Sequence, residues 1–223
     1  MSAAVRKSPV VDLFTLFAVV GAFAVTALLY DRLPDPLPVH FDLDGRPNGW
    51  MPRATGAWLL PGIEVLVVVL LRFGQHLLAR GWRERLEASP VRMLALVTAL
   101  MMTGVHVVVL RASLSALPNL GNAIWVLLGA LFVAFGVLMP RTRRNPFFGV
   151  RTAFALASDE NWARTQRVAG WTMVGGGIIT IAAGLLGLPA VAIATILASA
   201  VVPAIWSWVL AKRGTGDVPP IPR

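Results

Sequence analysis

Three sets of residues in this chain combine types that can do chemistry. In the run Val39-His40-Phe41-Asp42-Leu43-Asp44, an imidazole and two carboxylates occur at every second position. At a strand's period of two, His40, Asp42 and Asp44 project from one side while Val39, Phe41 and Leu43 lie on the other. Such an edge is a candidate divalent-cation site, and Asp42, Asp44 and Gly45 open like a calcium loop. That loop needs a later bidentate glutamate, and the next one here is Glu64. The favoured reading is therefore a structural ribbon whose carboxylates pair with Arg46 and Arg53. Asn48, in the Asn48-Gly49 turn, completes the candidate ligand-binding residues of this loop.

The second set lies inside apolar stretches. A carboxylate at the depth of Glu64 costs several kcal/mol unless it is protonated or paired. Pro61-Gly62 just before it should bend the helix and free a carbonyl. At about 1.5 Å per residue, Glu64 and His106 reach similar depths and Arg111 lies nearer the surface. These three are expected to face one another across an outward-opening cavity as further ligand-binding residues. The equally weighted alternative makes Glu64 a hydrogen-bond partner inside the bundle. Arg72 and His76, one turn apart, read as structural, with Asp12 the candidate partner of Arg72.

The third set is Arg144-Asn145-Pro146-Phe147-Phe148-Gly149-Val150-Arg151-Thr152, followed by Ser158 to Trp162. Asn145-Pro146 makes a turn, Gly149 permits a second, and the phenylalanines between arginines suit a membrane interface with anionic headgroups. Ser158 is a candidate N-cap, and Glu160 with Arg164 a favourable i,i+4 pair. The expectation is an amphipathic elbow that runs along the inner surface and turns into a span near Gly170. A partner-binding surface of Arg144, Asn145, Pro146, Phe148, Gly149, Arg151 and Trp162 is the minority alternative.

What must hold these groups is a bundle of membrane helices. The 223 residues are 57% hydrophobic and 14% charged, with mean hydropathy +0.71, where soluble domains carry about 25% charged residues. Segments near the roughly 20 residues needed to cross a bilayer run Val10–Tyr30, Ala54–Leu78, Val91–Ser113, Gly121–Met139, Val168–Leu186 and Pro189–Leu210. The first is too long for a signal-peptide core and is expected to stay attached as a helix. The fold class is thus an all-α integral membrane protein of about six transmembrane helices. Its expected halves are 1–113, with the motif loop at 31–54, and 114–223, with the elbow at 140–170. Each half reads helix, long loop, helix, short connection, helix, an order that would suit a 3+3 inverted repeat.

Fifteen of the 20 Lys and Arg fall on the side of the termini, four on the other side, and Arg72 within a span. The positive-inside rule then puts both termini in the cytoplasm, the histidine loop outside and the elbow inside. It also accounts for the net charge of +9 without any direct contact with nucleic acid. There is no cysteine, which excludes thiol redox chemistry and Cys-based metal sites. With no nucleophile motif and no complete metal set, the chain reads as a non-enzyme, with no cofactor beyond the candidate divalent cation. Arginine-rich, Ala/Gly/Val-rich usage points to a GC-rich bacterial genome.

The run Asn145 to Thr152, with Ser158, Trp162 and Gly170, resembles the signature loop of the SdpI family of bacterial membrane immunity proteins. Pro34-Asp35-Pro36-Leu37-Pro38-Val39-His40-Phe41, with Gly45 and Asn48 to Trp50, is similar to an uncharacterised domain that often precedes it. The resemblance implies a plasma-membrane protein that protects its producer from a secreted peptide toxin, and that holds a transcriptional repressor at the membrane when toxin is present. Asp42 and Asp44 make the outward loop more acidic than the family pattern. The competing reading is a small transporter or ion pathway using Glu64 and His106.

Overall fold

The computed structural model describes residues 9–42, 45–74, 90–114 and 120–214. Asp44 and His76 lie outside the described residues, as does Pro118-Asn119, whose residue types predict a turn. The elements in chain order are α1 (Pro9–Leu29), a 3₁₀ turn (Tyr30–Arg32), β1 (Leu37–Phe41), β2 (Pro47–Met51), α2 (Arg53–Phe73), α3 (Val91–Leu114) and α4 (Leu120–Leu138). A second 3₁₀ turn (Met139–Arg141), α5 (Ala153–Ala157), α6 (Asp159–Leu185) and α7 (Pro189–Gly214) follow. Among the described residues, six helices are long and apolar enough to cross a membrane: α1, α2, α3, α4, α6 and α7. Helices are the economical solution because hydrocarbon offers backbone N–H and C=O groups no other partner. Large side chains such as Phe14, Phe17, Leu28, Trp171 and Leu185 stand exposed on their outer faces, as lipid contact requires.

The fifth span departs from expectation. No turn occurs at Gly170; α6 is one helix from Asp159. Gly170 serves close approach instead, since a Cβ there would lie 2.9 Å from Gly136 O. The same contact recurs at seven-residue intervals. A Cβ on Gly129 would lie 2.6 Å from Gly177 O, and one on Gly184 would lie 2.9 Å from Trp125 Cβ. Between membrane helices, association relies on such close packing by small residues.

On its other side α6 meets α7 through hydroxyls. Pro203 lies inside α7 and has no N–H to give the carbonyl four residues back, which is that of Ser199. Thr172 Oγ1 donates to that carbonyl at 3.2 Å, and Ser199 Oγ returns a bond to Thr172 O at 2.9 Å. Thr180 and Thr195 hydroxyls meet at 2.9 Å, about two turns further along α6 and one turn back along α7. Interhelix hydrogen bonds average only about 0.6 kcal/mol in membranes, so the glycine contacts carry more of the packing and the hydroxyls set register.

The two halves pack differently. In the first, α3 lies against both α1 and α2; in the second, α6 lies between α4 and α7, and α3 against α4 joins the halves. The central helix is the third span of one half and the second of the other. Helix packing therefore does not follow the inverted symmetry suggested by element order.

Candidate functional site

The loop after α1 folds into an antiparallel hairpin, with Leu37 opposite Met51 and His40 opposite Gly49. Its base is anchored by Leu37, buried with Leu33, Ala57 and Leu110 at the ends of α2 and α3. Arg53 braces the approach: its guanidinium donates to Tyr30 O and Leu33 O and lies 5.1 Å from the Tyr30 ring centroid. Its backbone N–H donates to Asp35 Oδ1 at 3.1 Å. Trp58 stacks with Tyr30 and Phe23 at 5.9 and 6.0 Å.

The strand does not continue to Asp42, so His40 and Asp42 do not form the even edge expected of them. Irregular register on either side of His40 ends the period-two pattern, and Asp42 closes the hairpin turn. Its N–H donates to Arg46 O at 2.9 Å, and its Oδ1 accepts from Arg46 N at 2.8 Å. His40 Nδ1 is hydrogen-bonded to Asn48 Oδ1 across the strands. Among the described residues no three His, Cys, Asp or Glu are grouped to hold a metal; the third expected ligand, Asp44, is outside them.

At the hairpin tip Gly45 has φ +78°, and a Cβ there would lie 2.8 Å from Gly121 N and 3.2 Å from Leu120 Cβ. A hairpin borne by the first half thus seats on the first turn of α4. The contact of Gly45 with α4 depends on tertiary packing and has no signal in the sequence.

Glu64 and His106 do not line an open cavity. They are 0% and 2% exposed, closed in where α1, α2 and α3 meet. Their partners are threonines that sequence reasoning passed over: Thr26 Oγ1 lies 2.6 Å from His106 Nε2, and Thr103 Oγ1 donates to Glu64 Oε1 at 3.0 Å. Thr103 also bonds Ala18 O and precedes His106 by three residues, so both contacts lie on one face of α3. The available signal was polar side chains in mid-span. Arg111 stands exposed in the last turn of α3. The expected Asp12–Arg72 pair forms at 2.9 Å, and Arg92 shares the same carboxylate.

This arrangement predicts that Glu64→Gln folds normally, because Thr103 can still donate to the amide oxygen. Thermal unfolding should shift by no more than about 2 °C, whereas a loss above 5 °C would show that the charged carboxylate itself holds the helices together.

The elbow is knit from within. Asn145 is 0% exposed; its Oδ1 accepts from Phe147 N and Phe148 N at 2.8 and 3.0 Å, and its Nδ2 donates to Arg143 O and Phe148 O. Gln166, also missed in sequence, clasps Val150 with both ends of its amide, at 3.1 and 3.0 Å. Gly149, at φ +98°, leaves room for it, since a Cβ there would lie 2.8 Å from Gln166 Oε1. Trp162, 2% exposed, donates from Nε1 to Thr142 O. Arg144 bridges Leu156 O and Asp159.

Ser158 caps α6 as expected, accepting from Asn161 N, and Glu160 pairs with Arg164 at 2.6 Å. Asn161 and Thr152 reach α7 at Ser207. Of the expected partner-binding residues, Asn145 and Trp162 are buried in the elbow itself, Arg144 and Gly149 are engaged there, Pro146 and Phe148 are half-buried, and Arg151 is exposed. Phe147 and Arg143 join it at the surface.

A cavity of about 430 Å³ lies between the halves, with Val67 and Leu71 of α2, Leu94 of α3, Phe135 of α4 and Phe148 of the elbow among its walls.

Sequence comparison resolves the two motif regions separately. Residues 141–209 match the SdpI/YfhL protein family. Residues 17–65 match a domain of unknown function, DUF1648. The order is that of an SdpI family protein with an N-terminal DUF1648 domain. The SdpI match covers the elbow from Arg141, α6 and most of α7, and the DUF1648 match covers the hairpin with about three-fifths each of α1 and α2. Neither includes α3 or α4, the helices that join the halves. No curated protein and no solved structure matched the chain. The match of residues 141–209 to the SdpI/YfhL family, with six helices long and apolar enough to span a membrane among the described residues, supports a multi-pass membrane protein of the immunity type.

Proposed function

We propose that the protein protects a bacterial plasma membrane by binding a secreted peptide toxin at its hairpin end and engaging a cytoplasmic regulator at its elbow end. The observation that carries this reading is the seat of Gly45 on Gly121. Through it, a ligand on the hairpin acts on α4, whose other end runs through Met139–Arg141 into the elbow. Helix α4 is a rigid strut between the two motif regions, clamped along its length by the glycine contacts with α6. The distribution of basic residues supports a hairpin facing outward and an elbow facing the cytoplasm. Regulator contact falls to the exposed Arg143, Phe147 and Arg151.

Gly45→Val tests the coupling. Valine at a positive φ costs about 1–3 kcal/mol and collides with the α4 backbone, so the hairpin tip must lift while its base stays anchored by Leu37. At wild-type membrane abundance, cells carrying Gly45→Val should lose protection against the secreted peptide fraction of the source bacterium. Full protection would reject transmission through α4. At the elbow, Arg151→Lys should impair the output, because lysine lacks the planar fork that donates to Pro146 O while presenting other N–H groups outward. Arg141→Lys should not impair it; equal tolerance would make the elbow an electrostatic anchor only.

A further inference from the structure

The cavity between the halves has no role in that reading. Its walls are apolar but for Thr98 and Ser199, and the Ser199 hydroxyl already donates to backbone carbonyls at Thr172 and Thr195. A water-soluble ligand would find almost nothing to bond there, whereas hydrocarbon would fill it without leaving a polar group unpaired. The cavity also lies among membrane-spanning helices, towards the elbow end, where Phe148, Gly149 and Val150 contribute to its wall.

The chain leaves the cavity at two points, and at each an arginine follows. Met139 lines it and Arg141 comes two residues later; Val150 lines it and Arg151 is next. Both arginines are exposed. Arg141 donates to Val137 O and Arg151 to Pro146 O. These partners are neutral carbonyls, so neither guanidinium charge is offset by them. Two exposed cations therefore follow, one or two residues on, the segments that wall an apolar cavity among the membrane-spanning helices.

We propose that this cavity is a binding site for one anionic phospholipid of the surrounding bilayer, with an acyl chain between the halves and its phosphate at Arg141 and Arg151. The lipid would seal the gap between α2 and the elbow and tie the DUF1648 half to the SdpI segment. Arg151 serves in both readings, but lipid retention is measured with neither toxin nor regulator present, so its failure and that of the proposed function are separable.

Native mass spectrometry of the purified protein, titrated with dioleoyl phosphatidylglycerol or dioleoyl phosphatidylcholine, tests the site. One phosphatidylglycerol should be retained per chain, with a preference of at least about fivefold over phosphatidylcholine, as even one effective basic residue at the surface provides. Changing both Arg141→Gln and Arg151→Gln should abolish the preference, while Arg141→Lys with Arg151→Lys should keep it. Ala200→Phe, from an exposed wall position, should remove retention of either lipid, and Val67→Phe provides a second filling variant should the first not fold. Equal retention of the two lipids by the wild type, no retention at all, or retention unchanged in a folded filling variant would overturn the proposal.

Discussion

Replacing Gly177 by leucine should leave almost no folded, monodisperse protein to extract from the membrane. A Cβ at Gly177 would lie 2.6 Å from Gly129 O and 2.8 Å from Val133 N. Both are backbone atoms of α4, which no rotamer change can move aside. Leucine adds three more carbons beyond that Cβ, so α4 and α6 must separate along the seam that the glycine pairs close. Overpacking typically costs about 1–3 kcal/mol even where side chains can shift, and here the obstacle is backbone. Gly175 is the internal control: it is exposed and a Cβ there meets nothing within 4 Å. Gly175→Leu should therefore yield protein at the wild-type level. Size-exclusion profiles of the two variants in mild detergent give the comparison, and similar yields would mean that the α4–α6 contact is looser than these distances.

Asn145→Ala should be the most damaging polar substitution. It strips acceptors from two backbone N–H groups and donors from two carbonyls inside a buried turn. Each buried group left unsatisfied costs about 1–3 kcal/mol, and even partial access to water leaves a net loss of about 3 kcal/mol. Asn145→Asp separates the two sides of the amide. It keeps an acceptor for Phe147 and Phe148 but points a second oxygen at Arg143 O and Phe148 O, so it should be nearly as harmful as alanine. Limited proteolysis of the elbow and loss of melting temperature report the effect. An aspartate variant as stable as wild type would show that the donor bonds contribute little.

Both predictions concern residues whose roles were unevenly legible in the sequence. Spans could be read because twenty apolar residues in a row have few other uses, and the elbow's N-cap and its Glu160–Arg164 pair because their partners are three and four residues apart. Asp12 with Arg72 was found across sixty residues because two opposite charges near one membrane face have few alternatives. The glycine pairs were not visible, since a seven-residue spacing in one helix says nothing about which other helix matches it. For Glu64 the structure agrees with the equally weighted alternative, a hydrogen-bonded carboxylate inside the bundle, but its partner Thr103 and the His106 partner Thr26 were not visible. Depth follows from counting residues, but the hydroxyls beside them depend on how α1, α2 and α3 are rotated. The hairpin failed at its third step for a related reason: strand periodicity assumes an unbroken register, and the irregular pairing at His40 turns Asp42 from an edge residue into a turn residue.

The proposed path from hairpin to elbow requires that these two motif regions face opposite sides of the membrane, with the hairpin outside. The chain contains no cysteine, so single cysteines introduced at Asn48 and at Ser158, both exposed, can be labelled without background. With an impermeant maleimide, the Asn48→Cys protein should react in intact cells, and the Ser158→Cys protein only after lysis. Labelling of Ser158→Cys in intact cells, with Asn48→Cys protected until lysis, would contradict the account.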